Sequence, residues 1–273
     1  CTMERCEAQM GGACPFYRAR RRAEAAHVLI VNHALLLSDV AAEGRVLPDY
    51  RYLIVDEAHH LESAITSSMT FRTDPEAIKR QIADLGTARS GLMGDLLRQT
   101  QGTIPEGYHA TLRDYVGTVA GAGALMGQHV DRFFLKLRQF LEEHVRVARN
   151  EYTQQIRILD ALRRQPGWTE VEVRWGSLSE FTGGIAEAMV KLAHGLTELE
   201  GYDIEDYDDL QAAFNSAARH LTTLHERLAE IVSTPDANTV YWVELQPDGG
   251  RMSVHAAPLD VGPLVQRHLW YQK

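Results

Sequence analysis

The run Tyr52-Leu53-Ile54-Val55 is apolar without alternation and stops abruptly at Asp56-Glu57-Ala58-His59-His60. A continuous apolar run of this length reads as a strand covered on both faces, the condition of strands inside a parallel sheet. A second run of the same kind, His27-Val28-Leu29-Ile30-Val31, lies upstream. Between them, Ala34 to Val40 and a loop with Gly44 and Pro48 would supply a crossover, so the pair predicts a βαβ unit in an α/β core. The two carboxylates would then stand at the carboxyl edge of the sheet, where α/β proteins bind ligands. In nucleotide hydrolysis, an acid in the place of Asp56 holds Mg²⁺ through water, and one in the place of Glu57 orients and deprotonates the attacking water. His59 would couple that site to neighbouring segments. The plain alternative is an acidic helix N-terminus favoured by the helix dipole.

All three cysteines, Cys1, Cys6 and Cys14, fall in the first fourteen residues. An odd number crowded into one terminus makes a poor disulfide framework and fits metal ligation in a reducing, cytoplasmic setting better. Thiolates at this spacing can converge on one soft metal centre. An iron–sulfur cluster normally takes four, so zinc with a histidine as fourth ligand, or no metal at all, stays open. Arg18, Arg20, Arg21 and Arg22 follow in an alanine-rich, helix-favouring stretch and offer phosphate contacts or simply a solvated basic face. The chain as a whole carries a net charge of −9, which excludes nucleic-acid binding by overall charge and makes any such contact local. No uninterrupted apolar stretch is long enough to span a membrane, and the start at Cys1 rather than Met suggests an excised fragment.

From Asp74 the pattern turns helical. Asp74-Pro75-Glu76 has an acidic N-cap, proline at the first helical position and a carboxylate in the first turn, with Ile78, Ile82 and Leu85 on one face. Tyr108 to Ala148 predicts one very long helix with a seam from Leu112 to Leu141, weakened by Gly117, Gly121, Gly123 and Gly127, which mark a bend or a close helix contact. Val171, Val173 and Trp175 alternate like a strand. Two further helices cover 178–199 and 206–232, and Val240–Leu245, the turn Pro247–Gly250 and Arg251–Ala256 predict a β-hairpin. Asn32 and His33 read as functional polar groups or as caps for the helix near Ala34, and the Trp168/Trp175 pair as structural.

Taken in order, these pieces resemble the XPD-like branch of superfamily 2 helicases, nearest the bacterial DinG type. The resemblance rests on Cys1, Cys6, Cys14-Pro15-Phe16, Ala19-Arg20, Val28 to Leu36 with Asn32-His33, Leu47-Pro48, Tyr52 to Glu62, and Ala256-Ala257-Pro258-Leu259-Asp260-Val261. It covers residues 1–66 and 238–273 well and the middle only as a helical insert. It implies an α/β fold, part of a RecA-like helicase domain 1, with a large, mostly α-helical Arch insertion and an α-rich balance overall. The implied divisions are an iron–sulfur segment at 1–27, helicase domain 1 at 28–66, the Arch at 67–236 and the returning part of domain 1 at 237–273. The buried strand before Asp56 and the final hairpin would share one interrupted sheet.

By the same resemblance, Cys1, Cys6 and Cys14 would ligate a [4Fe–4S] cluster whose remaining cysteine lies upstream. Asp56 and Glu57 would be the Walker B acids with His59 completing the DEAH box, Mg²⁺ held by Asp56, and Arg18, Arg20, Arg21 and Arg22 would face DNA. Such enzymes use ATP, move 5′ to 3′ on single-stranded DNA, open forked substrates in repair and recombination, and offer the Arch to repair-protein partners. Two departures limit the expectation. The sequence has no Gly-x-Gly-Lys-Thr/Ser phosphate loop and no second motor domain, so the chain alone is expected to be inactive and its parent active.

Overall fold

The computed structural model describes residues 14–41, 46–144, 153–246, 250–262 and 266. The chain divides into two compact units, one formed by residues 1–70 with 257–273 and the other by 71–256. The second is inserted in the first.

The first unit holds α1 (Pro15–Glu24), α2 (His33–Ala41), a single 3-10 turn (Ala58–His60) and α3 (Leu61–Met69). Among the described residues its core cluster is Leu36, Leu37, Leu47, Ile65 and Val261, with Leu53 and Leu61 among the side chains packed around them. Val261 thus comes back to the first unit after the long insertion. Within the core, Asp39 is fully buried, and its Oδ1 accepts hydrogen bonds from the backbone N–H groups of Val46 and Leu47, both at 2.9 Å. Those two bonds anchor the loop that leads to Pro48 and the extended segment beyond.

The expected parallel strand pair does not form. Residues 27–31 and 52–55 are not helical, and neither is part of a sheet; among the described residues no parallel sheet occurs. In 52–55 exposure alternates: Tyr52 and Ile54 are 89% and 92% exposed while Leu53 and Val55 are half-buried. Val28 and Ile30 are likewise bare. A run apolar on both faces predicts a strand only where neighbours pair its backbone and cover both faces, and the described chain covers one.

The second unit is built on helices: α4 (Pro75–Leu85), α5 (Gly91–Thr100), α6 (Glu106–His144), the short α7 (Asp160–Arg163), α8 (Trp168–Thr197) and α9 (Tyr207–Val232). Asp74 caps α4, its Oδ1 accepting from Ala77 N–H at 2.7 Å with Pro75 next in line, and Ile78 and Leu85 are buried. The 39 residues of α6 form one helix whose buried stripe runs from Val116 through Met126, Val130, Phe133 and Leu137 to Leu141, facing chiefly α8. Of its glycines only Gly123 makes a close approach, where a Cβ would meet Ile82 Cγ2 at 3.1 Å. Trp168 and Trp175 are both buried, and Trp168 Nε1 donates to Val232 C=O at 3.1 Å while Arg163 donates to Ile231 C=O, so two orphan carbonyls at the end of α9 are satisfied. Residues 170–175 are helix rather than strand. Val171, Trp175 and Leu178 recur at intervals of four and three and are buried, while Val173 is 59% exposed; a short alternation is compatible with either period, and packing against α6 decides for the helix.

A four-stranded sheet closes this unit, in the order β1 (Phe71–Thr73), β4 (Met252–Pro258), β3 (Thr239–Leu245), β2 (Gln154–Arg157). β1 is antiparallel to β4 with Phe71 opposite Ala256, and β2 antiparallel to β3 with Ile156 opposite Val243. The expected hairpin is present, its turn 247–249 lying outside the described residues. Its residues Tyr241, Val243, Leu245, Met252, Val254 and Ala256 are buried in the core of the helical unit. The division between the two compact units falls within β4, after Ala256. β1 and β2 carry no sequence signal because three and four residues are too few to show a period.

On the sheet, His255 is 4% exposed, stacks on Trp242 with ring centroids 4.9 Å apart, and shares its Nε2 between Ser253 Oγ at 2.8 Å and Glu244 Oε2 at 3.4 Å. Burial holds its imidazole below the ordinary 6.5, against the pull of Glu244 and with the push of Arg72. The unfolded chain therefore takes up this proton more readily than the folded one. The resulting stability is complete above the ordinary value and is lost as pH falls below 6.5 and through the depressed native value. In denaturant titrations, His255→Gln should flatten the loss of stability between about pH 7 and about pH 5 relative to wild type. In the first unit, Asp39→Ala should leave two amides without their acceptor and cost about 1–3 kcal/mol, seen as faster hydrogen exchange at Val46 and Leu47; Asp39→Asn, which keeps an acceptor oxygen, should cost less.

Candidate functional site

The extended segment 52–55 enters a turn at Asp56-Glu57, and the 3-10 turn Ala58–His60 leads directly into α3. Glu57 adopts φ 49° and ψ 44°, a left-handed conformation that costs an L-residue energy. Local bonds hold it there: Asp56 Oδ1 accepts from Glu57 N–H at 2.9 Å, and Glu57 C=O accepts from His60 N–H at 2.9 Å. A strained non-glycine residue kept in place by its neighbours is a mark of sites where geometry matters. Asp56, Glu57, His59 and His60 are all exposed.

The turn is tied to the first apolar run. His33 Nε2 lies 3.1 Å from Asp56 C=O across 23 residues of sequence. Asn32 does the other half of what the dipeptide offered: its Oδ1 accepts from Leu35 N–H at 2.8 Å and caps α2. One residue is a cap, the other a brace for the carboxylate turn. The bracing role was not legible in the sequence, since nothing in the spacing of His33 and Asp56 announces a backbone contact.

Glu57, His59 and His60 converge. Glu57 Oε2 is 3.2 Å from His59 Nδ1, and the two imidazoles lie with centroids 3.9 Å apart, tilted by 41°. Asp56 is not a member of this group, which is the single cluster of three or more histidine, cysteine or acidic side chains with metal-binding geometry among the described residues. His60 is the member that reading the motif alone passed over; its position beside the DEAH letters was the available signal.

Of the three cysteines, Cys14 is described: its side chain is buried at the N-cap of α1, and its C=O accepts from Arg18 N–H at 3.0 Å. Cys1 and Cys6 lie outside the described residues. Arg18, Arg20, Arg21 and Arg22 are all exposed on α1; Arg20 pairs with Glu24 at 3.4 Å, and Arg21 and Arg22 occupy the last turn, where positive charge suits the helix dipole.

Comparison with known proteins agrees with the motif series. The family model DEAD_2 matches residues 3–78. An ATP-dependent helicase DinG of Mycobacterium tuberculosis is 51% identical over 57 residues, 21% of this chain and 9% of that protein. The ATP-dependent DNA helicase DinG of Photobacterium profundum is 25% identical over 94% of this chain and 35% of its own length. The 3'-5' exonuclease DinG of Bacillus subtilis is 21% identical over the same 94% share and 27% of its length. The chain thus spans about a third or less of the length of these relatives. The chain is therefore similar to the DEAD_2 family across residues 3–78 and to DinG proteins along 94% of its length.

Proposed function

We propose that this chain is the central part of an ATP-dependent DNA helicase of the DinG type, supplying the acids of its nucleotide site and its Arch. The observation that carries the reading is the turn at Asp56-Glu57: two adjacent exposed carboxylates, the second in left-handed backbone, braced from behind by His33. Asp56 offers a hard oxygen donor suited to Mg²⁺ at ATP, held through water; the ion supplies neutralisation of phosphate charge. Glu57 orients the attacking water and takes its proton, and His59, 3.2 Å from it, positions that carboxylate and links it to neighbouring segments. The cradle for the phosphates and the second motor domain are not in this sequence, so hydrolysis belongs to the parent and the chain by itself is inactive.

The rest of the anatomy follows the same reading. Residues 27–31 and 52–55, extended but unpaired by any described strand, belong on this reading to a RecA-like domain 1, and their bare side chains, Val28, Ile30, Tyr52 and Ile54, are the apolar surface that further strands of the parent would cover. The inserted unit 71–256 is the Arch. Cys1, Cys6 and Cys14 hold a [4Fe–4S] cluster with one cysteine from elsewhere in the parent; the buried Cys14 side chain at the start of a helix is a soft sulfur donor of the kind such a cluster takes. Movement 5′ to 3′ on single-stranded DNA, opening of forks, a place in repair, a repair-protein partner on the Arch and a cytoplasmic, nucleoid-associated location complete it. Among the described residues no helix is long and apolar enough to cross a membrane.

In the full-length parent, single-stranded DNA should stimulate ATP hydrolysis, and Glu57→Gln should lower turnover by at least about 10²-fold while leaving nucleotide binding intact. Hydrolysis at the wild-type rate in that variant would remove Glu57 from the mechanism. A second reading, a non-enzymatic module that binds single strands through α1, draws on the four exposed arginines. It predicts salt-sensitive binding by the chain without nucleotide, weakened by reversing the charge of Arg20 and Arg21; equal affinity for the reversed variant rules that patch out.

A further inference from the structure

We infer that Glu57, His59 and His60 form a binding site for a borderline divalent cation of the zinc class, separate from the Mg²⁺ position assigned to Asp56. The three ligand atoms lie within 4.8 Å of one another. Tetrahedral zinc with nitrogen and oxygen ligands at about 2.0–2.1 Å places its donors about 3.3 Å apart. The 3.2 Å between Glu57 Oε2 and His59 Nδ1 already has that spacing. His60 stands beside His59 on the same 3-10 turn with its ring tilted against it, and one of its ring nitrogens lies within 4.8 Å of the ligand atoms of Glu57 and His59.

Backbone, not chance, creates the convergence. The left-handed Glu57 reverses the chain, and the His60 N–H to Glu57 C=O bond closes the turn, which sets residues 57, 59 and 60 around one point. Two imidazoles and one carboxylate select zinc, cobalt or nickel over Mg²⁺, which prefers oxygen and keeps its water. Two histidines with one glutamate also leave the fourth position to water, the arrangement of an open zinc site. All three side chains are exposed, so an entering ion meets no closed shell. Occupancy would take Glu57 away from water activation and make such ions inhibitors; that consequence rests on the role proposed above for Glu57, whereas the binding does not.

Because cysteines also take zinc, Co²⁺ is the discriminating probe. Thiolate ligation gives strong near-ultraviolet charge transfer, and a histidine–carboxylate site gives only weak visible bands. With the thiols of the 273-residue chain alkylated, Co²⁺ should still produce the weak visible bands, Zn²⁺ should erase them, and millimolar Mg²⁺ should not. His60→Ala, at an exposed position, should keep the wild-type circular dichroism and weaken this binding by at least about tenfold. Coincident titrations for wild type and His60→Ala, or loss of all cobalt binding on alkylation, would overturn the site. That result would leave the Glu57→Gln outcome in the parent untouched, so the two assignments fail separately.

Discussion

A helix of 39 residues is stable in a small protein only if one stripe of it is buried along most of its length, and the stripe on α6 from Val116 to Leu141 meets that condition. It packs against α8, which packs in turn along α9, so three long helices share one core. The sheet then has a surface to sit on, and its alternating residues Tyr241, Val243, Met252 and Val254 join the same core. This explains why 71–256 is a compact unit by itself. An insertion with its own core can sit inside another domain without drawing on that domain's stability.

The first unit shows the opposite condition. Among the described residues five buried apolar side chains form its core cluster, and the loop feeding the carboxylate turn depends on the buried Asp39 carboxylate in place of a sheet ladder. The turn itself stores strain at Glu57 and balances it with bonds from Asp56 and His60. Those bonds set the direction of the Glu57 and His59 side chains, which a flexible loop would leave free. Local order at the candidate site is therefore built from hydrogen bonds, while the order of the inserted unit is built from apolar burial.

How much of this the sequence carried depends on which physical signal was at work. Long 3.6-residue periodicity announced α4, α6 and α9, and Asp74-Pro75 announced a start, because capping and amphipathic packing are written in neighbouring residues. The hairpin was legible for the same reason. Residues 170–175 misled because Val171 and Trp175 satisfy both periods, and only the partner surface on α6 separates them. Asp56, Glu57 and His59 were found as a motif, yet the brace from His33, the inclusion of His60 and the backbone of Glu57 were not, since each is a tertiary or conformational fact with no letter of its own.

The absence of the expected shared sheet changes what supports the motor assignment. A strand buried on both faces requires partners, and the runs 27–31 and 52–55 have the composition for that environment without such neighbours among the described residues. The hairpin's inward side chains belong to the helical core. What joins the two ends of the chain is instead Val261, buried with Leu36, Leu37 and Ile65 after an excursion of 186 residues between Thr70 and Ala257. A chain that leaves a small α-rich unit after the carboxylate turn, builds an independent core, and comes back to the same apolar cluster is an interrupted domain. The interruption survives the loss of the sheet argument because it rests on burial at Val261, which is a property of the packed chain rather than of strand pairing.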